Sequence, residues 1–173
     1  MAKFDESQAE CLVFTFKEGL LSKIAHDLKI RVTRWSVEVT PASVRAQLDL
    51  QSLRVVTAMK DGKENPDALS EADKTKIAEQ IAQEVLHADR HPSAVFTARS
   101  LTPRGDGGYQ MAGDLSLHGV TKSIVAESQP EGDRQVASIE LHQPDYGITP
   151  FKAMMGTLKV KADVIVRVSV PKL

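Results

Sequence analysis

A strict alternation of apolar and polar residues near the carboxyl end constrains the fold of this chain more than any other feature. Every second residue from Leu158 to Val170 is apolar, and the residues between them are polar except for Ile165. The apolar set is Leu158, Val160, Ala162, Val164, Val166, Val168 and Val170. Successive side chains of a β-strand point to opposite faces, so this period of two predicts one long strand with an apolar face. Closure of the sheet into a barrel would protect the edges of such a strand.

Seven further runs have the composition and spacing of strands. They lie at 10–17, 27–39, 44–50, 93–101, 109–118, 123–128 and 135–142. In the second run the alternation changes parity at Arg34-Trp35 without a turn residue, which predicts a bulge that bends the strand. Eight antiparallel strands can close into a barrel that holds either its own side chains or one slim ligand. We therefore expect a mainly β fold, an eight-stranded antiparallel β-barrel, in a single domain spanning residues 1–173.

One segment has the pattern of a helix instead. Ser70 has the position of an N-cap and is followed by acidic residues in the first turn, where negative charge is favourable. Ile77, Ile81 and Val85 recur every four residues, and Pro92 marks the end. The sequence thus predicts one α-helix inserted between strands three and four, packed outside the sheet or over one mouth of it.

Charge and composition narrow the possible partners. The formal net charge of -1 gives no general attraction to nucleic acids or anionic membranes, so neither is expected as a partner. No run approaches the ~18 apolar residues of a transmembrane helix, and residues 1–8 lack the apolar core of a signal peptide. Cys11 is the single cysteine and cannot form an internal disulfide. We expect a soluble protein of a reducing, cytoplasmic compartment, without stable membrane insertion.

The segment Gly113–Lys122, with the sequence Gly-Asp-Leu-Ser-Leu-His-Gly-Val-Thr-Lys, resembles the signature of the YceI-like family. His91-Pro92 followed by Phe96, the run at 145–148 (Asp-Tyr-Gly-Ile) and the alternating final strand support the resemblance, which extends over about the whole chain. It implies an elongated, lipocalin-like barrel whose lumen takes the apolar tail of an amphiphile, typically a polyisoprenoid or a quinone that carries one. It also implies that a homodimer is possible.

Two departures from the family pattern limit what the resemblance transfers. Relatives often have an aromatic acidic segment just before the His-Pro pair, whereas this chain has Leu86-His87-Ala88-Asp89-Arg90 there. The missing rings could change the mouth of a pocket, so the ligand's identity is not inherited. Many relatives are exported, and no export signal is visible here, so the location is not inherited either.

The leading hypothesis is a non-catalytic protein that binds a hydrophobic small molecule with an isoprenoid-like tail. Burial of apolar chain at ~0.8 kcal/mol per methylene supplies affinity with few polar contacts. The predicted lining residues are Phe14, Leu28, Leu48, Leu50, Phe96, Leu115, Leu117, Met154, Val164 and Val166, with His118 as a polar contact at the lumen mouth. Each assignment depends on strand parity, because a slip of one residue exchanges inside for outside. A local backbone bond of His118 in its turn is the equally weighted alternative.

Other histidines permit weaker hypotheses. His87 and His91 are four residues apart and could share a metal ion on a helix, but two histidines alone are a weak motif and no third ligand lies near in sequence. A helix C-terminus with favourable basic groups, ended by Pro92, is the preferred explanation. His26 stands beside Asp27 and near Ser22, yet no nucleophile elbow is present. We predict no metal site, no cofactor and no catalytic residue.

Two other functions are kept as alternatives. One is an enzyme acting on a small apolar or quinone-like substrate with His26 and His118 as acid-base groups, which a shared pocket would favour. The other is a filled barrel that serves as an interaction or stress-response module, which a densely packed lumen would favour.

Overall fold

The computed structural model describes residues 1–19, 25–156 and 158–172, apart from the side chain of Met154. Within these residues the chain forms fourteen β-strands and one α-helix. The strands are β1 (Ala2–Asp5), β2 (Glu10–Thr15), β3 (Asp27–Val32), β4 (Trp35–Val39), β5 (Val44–Asp49), β6 (Leu53–Lys60), β7 (Lys63–Asn65), β8 (Ser93–Pro103), β9 (Tyr109–Leu117), β10 (Val120–Glu131), β11 (Arg134–His142), β12 (Lys152–Ala153), β13 (Leu158–Lys159) and β14 (Asp163–Pro171). Helix α1 (Glu71–Gln80) continues as a π-helical turn (Ile81–Val85), and short 3₁₀ turns lie at Pro66–Ala68, Gln143–Tyr146 and Met154–Gly156.

Twelve of the described strands form one curled antiparallel sheet. Their order across the sheet is β1-β4-β5-β8-β9-β10-β11-β14-β2-β3-β6-β7, and β12 pairs separately with β13. The expectation of a mainly β, antiparallel fold with a helix is confirmed. The expected count of eight strands is wrong. The run predicted at 27–39 forms two strands, β3 and β4, and three strands of this sheet were not predicted. Of these, β1 and β7 carry too few residues to show a period in sequence, and β6 does not alternate strictly, because Val55 and Val56 are adjacent.

Two short segments, 33–34 and 50–52, connect β3 to β4 and β5 to β6. Thr33 and Arg34 separate β3 from β4, at the place where the sequence changes parity. The backbone N–H of Thr33 donates to the Ser52 carbonyl at 3.0 Å, and that of Asp49 donates to the Arg34 carbonyl at 3.0 Å. Hydrogen bonding therefore continues through the bend, while β3 pairs with β6 and β4 pairs with β5. The interruption at 33–34 divides the run predicted at 27–39 into two strands.

The predicted ribbon from 158 to 170 is interrupted in the structure. Leu158 and Lys159 pair with β12, and β14 begins only at Asp163. Between them, the backbone N–H of Gln143 donates to the Ala162 carbonyl at 2.8 Å, and the Gln143 Nε2 group donates to the Lys161 carbonyl at 3.1 Å. The Gln143–Tyr146 turn ends β11 here, so residues 158–161 lose this partner strand and bond to β12, Phe151 and Phe16 instead. One predicted strand therefore becomes two.

Helix α1 begins at the predicted N-cap. The Ser70 hydroxyl accepts from the Asp73 backbone N–H at 3.1 Å, and the Asp73 carboxylate accepts from the Ser70 N–H at 3.0 Å, which forms a capping box. The helix follows β7 and precedes β8. The expected position between strands three and four was counted on eight strands and does not apply to the observed strand numbering. It packs against β6 and contributes to the wall of the interior cavity.

Candidate functional site

A cavity of about 880 Å³ lies inside the curl of the sheet. Ten strands of the main sheet (β2 to β6, β8 to β11 and β14) and helix α1 contribute to its wall. A close-packed protein interior has few voids larger than a water molecule, whereas this volume is within the range of small-molecule sites. The interior of the sheet is therefore not filled by its own side chains.

Alternate residues of neighbouring strands form rows on the cavity wall, because successive side chains in a strand point to opposite faces. The middle row is Ile139, Val166, Val13 and Ile30, each aligned with the next across β11, β14, β2 and β3. We call the pairs on one side of it the upper row, which is Leu141 with Val164 and Thr15 with Leu28. The lower row on the other side is Ala137 with Val168 and Val32 with Leu53.

Polar side chains are unevenly distributed over the cavity wall. Ala126 aligns with Met111, and both are buried in the main core cluster together with Trp35 and Val37. The polar wall residues lie outside the middle and lower rows: Thr15, His26, Asp73, Lys76, Gln80, Gln143 and Tyr146. Asp73 and Lys76 on helix α1 are wall residues and are exposed, so water reaches the cavity beside this helix. The arrangement suits a molecule with a long apolar part and a polar end.

Most of the lining residues expected from sequence lie on the cavity wall. They are Leu28, Leu48, Leu50, Phe96, Leu115, Leu117, Val164 and Val166. The prediction for Phe14 has the parity reversed, because its neighbours Val13 and Thr15 face the cavity and Phe14 lies on the opposite face of β2. The side chain of Met154 lies outside the described part of the chain. Contact between these wall residues and a ligand stays a prediction.

The structure adds wall residues that were not chosen from the sequence. Ile77, Ile81 and Val85 belong to the helical apolar stripe, which was recognised but not assigned to the lumen. The π-helical turn, closed by a hydrogen bond of 2.9 Å from the Leu86 N–H to the Ile81 carbonyl, directs this end of the helix to the wall. Another part of the wall consists of Tyr146, Ile148, Phe151 and Ala153. No sequence period marks them, because they lie in a 3₁₀ turn, a loop and a two-residue strand.

His118 lies outside the cavity wall and packs with two other histidines. Its ring centroid is 4.6 Å from that of His91 and 5.7 Å from that of His87. The His118 Nδ1 atom is 3.1 Å from the backbone carbonyl oxygen of Tyr146, to which it donates as N–H, whereas the buried Nε2 atom has no partner. His118 thus bonds to a backbone segment that is distant in sequence. The sequence had predicted either a contact with the lumen or a bond within its own turn. The tie holds the Gln143–Tyr146 turn, part of the cavity wall, against the β9-β10 hairpin.

Removing the imidazole of His118 is expected to weaken the pH dependence of folding stability. Burial lowers the pKa of His118 below its usual 6.5, and the neighbouring His91, His87 and Arg90 lower it further against the opposing bond to Tyr146. The unfolded chain then binds the proton more readily, so the stabilising contribution is present above pH 6.5 and is lost as the pH falls through the folded-state pKa. His118→Asn suits the left-handed backbone at this position, where φ is 55°.

The measurement is urea unfolding of the parent and of His118→Asn across about pH 5 to 7, where histidine titrates. The parent is expected to lose more free energy of unfolding than the variant as the pH falls. Equal slopes for the two proteins would contradict the assignment.

The structure does not bring together the groups that the acid-base and metal hypotheses require. His26 is on the cavity wall and His118 is not, so the two do not share this pocket. The Asp27 carboxylate accepts from the Lys17 backbone N–H at 2.7 Å, and Ser22 lies outside the described residues. Within 1–19, 25–156 and 158–172, no three His, Cys, Asp or Glu side chains are placed to hold a metal ion.

Cys11 on β2 is fully buried in the main core cluster, and burial raises the pKa of its thiol to about 12. A thiol in this state is unreactive at neutral pH. In the described part of the chain, no helix has both the length and the apolar character needed to cross a bilayer.

A family model described as "YceI-like domain" matches residues 4–171 of this chain. A curated relative, a UPF0312 protein of Shewanella denitrificans, is 31% identical over 97 residues, which are 49% of this chain and 49% of that protein. The match therefore spans about half the length of this relative.

Several solved structures have a similar fold. BcnA of Burkholderia cenocepacia has a TM-score of 0.66 at 14% identity, with 98% of this chain and 99% of that chain covered. A polyisoprenoid binding domain from Saccharophagus degradans, implicated in plant cell wall breakdown, has a TM-score of 0.59 at 12% identity, with 95% of this chain and 94% of that chain covered. The YceI protein of Campylobacter jejuni has a TM-score of 0.59 at 14% identity, with 90% of this chain and 92% of that chain covered. At these identities the likeness concerns the fold.

Proposed function

Because this chain belongs to the YceI-like domain family, we propose that it is a non-catalytic binding protein that holds a hydrophobic amphiphile inside the curled sheet. The apolar part of the ligand is a polyisoprenoid or a similar single tail. The observation that carries the proposal is the 880 Å³ cavity whose middle and lower rows are entirely apolar. A structural relative of this fold is described as a polyisoprenoid binding domain, which agrees with a ligand of this class.

The physical basis of binding is the removal of tail surface from water. Each methylene that enters the cavity contributes ~0.8 kcal/mol, so a long tail supplies affinity without a dense polar network. The polar residues of the wall, among them His26, Lys76 and Gln80, would let a head group keep contact with water. A site of this kind needs no reacting group, and the histidine pair considered for acid-base chemistry is divided between the cavity and its exterior.

The filled-module alternative requires a densely packed interior, and the cavity volume argues against it. The homodimer and the reducing, cytoplasmic location stay predictions of the sequence. Size-exclusion chromatography with light scattering and fractionation of the native host test them separately.

Uptake of an isoprenoid is the direct test of the proposed function. Protein purified from its own host is analysed by native mass spectrometry and by solvent extraction, and emptied protein is then titrated with geranylgeraniol. We expect one bound molecule and a rise in the midpoint of thermal unfolding, since a ligand at 100 times its Kd stabilises the folded state by ~2.7 kcal/mol. Protein that is repeatedly recovered empty, and that neither binds geranylgeraniol nor shifts its unfolding midpoint, would overturn the proposal.

A further inference from the structure

We propose that the hydroxyl of Tyr146 hydrogen-bonds to the head group of the bound amphiphile, and that this head group carries an uncharged oxygen such as a hydroxyl or a carbonyl. The inference rests on the proposed function and names a polar contact that the same site offers beside its apolar wall. Its structural basis is the position of Tyr146, a wall residue that is only 3% exposed.

The ring of Tyr146 lies among residues that line the cavity. It belongs to a hydrophobic cluster with Val85, Leu115 and Ile148, and all three line the cavity wall. These neighbours come from the π-helical turn, from β9 and from the loop before β12. The backbone carbonyl of Tyr146 instead accepts from His118, which lies outside the wall. The carbonyl is thus used on the outer side, and the side chain is on the cavity side.

The Tyr146 hydroxyl has a free hydrogen-bonding capacity. Within the part of the chain that the structure describes, no protein group hydrogen-bonds to this oxygen. Two other unpaired side-chain atoms there, Trp35 Nε1 and His118 Nε2, are sealed off by protein atoms, whereas the Tyr146 oxygen is not. A buried tyrosine hydroxyl usually finds a partner. Space for one remains here, and the neighbours of the ring border the cavity.

The surroundings of this hydroxyl favour an uncharged partner. Burial raises the pKa of Tyr146 above its usual value, and the neighbouring Asp145 carboxylate raises it further, so the group is an O–H donor at neutral pH. Val85, Leu115 and Ile148 bring no positive charge, and Asp145 would repel an anion. Because burial of an unpaired charge is costly, a hydroxyl or carbonyl oxygen suits this position better than a phosphate.

The hydroxyl should discriminate between ligands by their head groups. In the empty protein, water in the cavity can pair with it. A tail without oxygen displaces this water and leaves the hydroxyl unpaired, whereas an alcohol or a ketone replaces the lost bond. The affinity for oxygen-bearing ligands relative to hydrocarbons therefore depends on Tyr146.

The experiment compares geranylgeraniol with the hydrocarbon of the same skeleton, which lacks only the hydroxyl group. An equimolar mixture of the two competes for emptied protein, and native mass spectrometry gives the ratio of bound alcohol to bound hydrocarbon. Comparison of this ratio between Tyr146→Phe and the parent cancels the different solubilities of the ligands. We expect Tyr146→Phe to lower the ratio by about 20-fold, the effect of one buried polar group that gains or loses its partner.

Tyr109→Phe is the matched control, because Tyr109 on β9 is the only other tyrosine of the chain and is not a wall residue. The same substitution there removes a hydroxyl away from the cavity, so the ratio should keep its parent value. A second measurement uses geranylgeranylacetone, whose carbonyl can accept but not donate a hydrogen bond. Its infrared carbonyl stretch is expected at lower frequency in the parent than in Tyr146→Phe.

The outcomes separate this contact from the binding function itself. A ratio that is unchanged in Tyr146→Phe, or that falls equally in Tyr109→Phe, would overturn the assignment of Tyr146 and leave the proposed function intact. A carbonyl stretch that is identical in the parent and in Tyr146→Phe would do the same. Failure of the parent to bind either ligand would overturn both proposals.

Discussion

Replacement of Ile139 by aspartate is expected to weaken binding of geranylgeraniol about a thousand-fold while the protein stays folded. Ile139 belongs to the middle row, where it aligns with Val166 and packs against the main core cluster. In the empty protein, water in the cavity can solvate the new carboxylate. A bound tail displaces this water, and burial of an unpaired carboxylate costs several kcal/mol, of which about 4 kcal/mol corresponds to the stated loss of affinity.

The adjacent Ser138→Asp is the control for this variant. Ser138 is exposed on the opposite face of β11, so a carboxylate there adds the same charge to the same strand without entering the cavity. Titration with geranylgeraniol, followed by tryptophan fluorescence or native mass spectrometry, should give unchanged affinity for Ser138→Asp. Similar affinities in the two variants would place the ligand outside the cavity.

The largest expected effect on folding follows from Gly113→Ala. Gly113 on β9 aligns with Ala98 on β8, next to an irregularity in the pairing between Ala98 and Ser100. A Cβ atom at this position would overlap the Thr97 carbonyl oxygen and lie 2.6 Å from the Ala98 Cα atom. Backbone atoms cannot move away without loss of strand pairing, so we expect a loss of about 3 kcal/mol in the free energy of unfolding, as overpacking of a core typically produces.

Urea denaturation measures this loss, and Gly105→Ala serves as its control. Gly105 lies in an exposed turn, and a Cβ there would meet no atom within 4 Å. The expected change for Gly105→Ala is within about 1 kcal/mol and can be stabilising, since alanine restricts the unfolded chain. A Gly113→Ala protein as stable as the parent would show that β8 and β9 are further apart than in this structure.

The interior face of several strands was predictable because only one face of them is apolar. In β5, the residues Val44, Ala46 and Leu48 alternate with polar neighbours, and all three line the cavity. The same holds for Val164 and Val166 of β14. At such positions the choice between faces is fixed by burial, since the opposite register would expose the whole apolar set.

In β2 the sequence pattern does not identify the inward face. Leu12 and Phe14 are apolar, and so is Val13 between them. Both faces of the strand are compatible with burial, so the period alone cannot assign the inward face. Contact with Val166 on one side and Ile30 on the other gives Val13 the inward position, and these partners are distant in sequence.

The amino-acid sequence by itself determined the strand-rich class, the family signature at 113–122, the N-cap of the helix and the inward residues of strands with a single apolar face. These features depend on residues a few positions apart. The tertiary structure alone decided the count of strands, the break of the final ribbon where β11 ends in the Gln143–Tyr146 turn, the position of His118 outside the wall and the size of the cavity. Each of these depends on hydrogen bonds or packing between segments far apart in the chain, for which no local period exists.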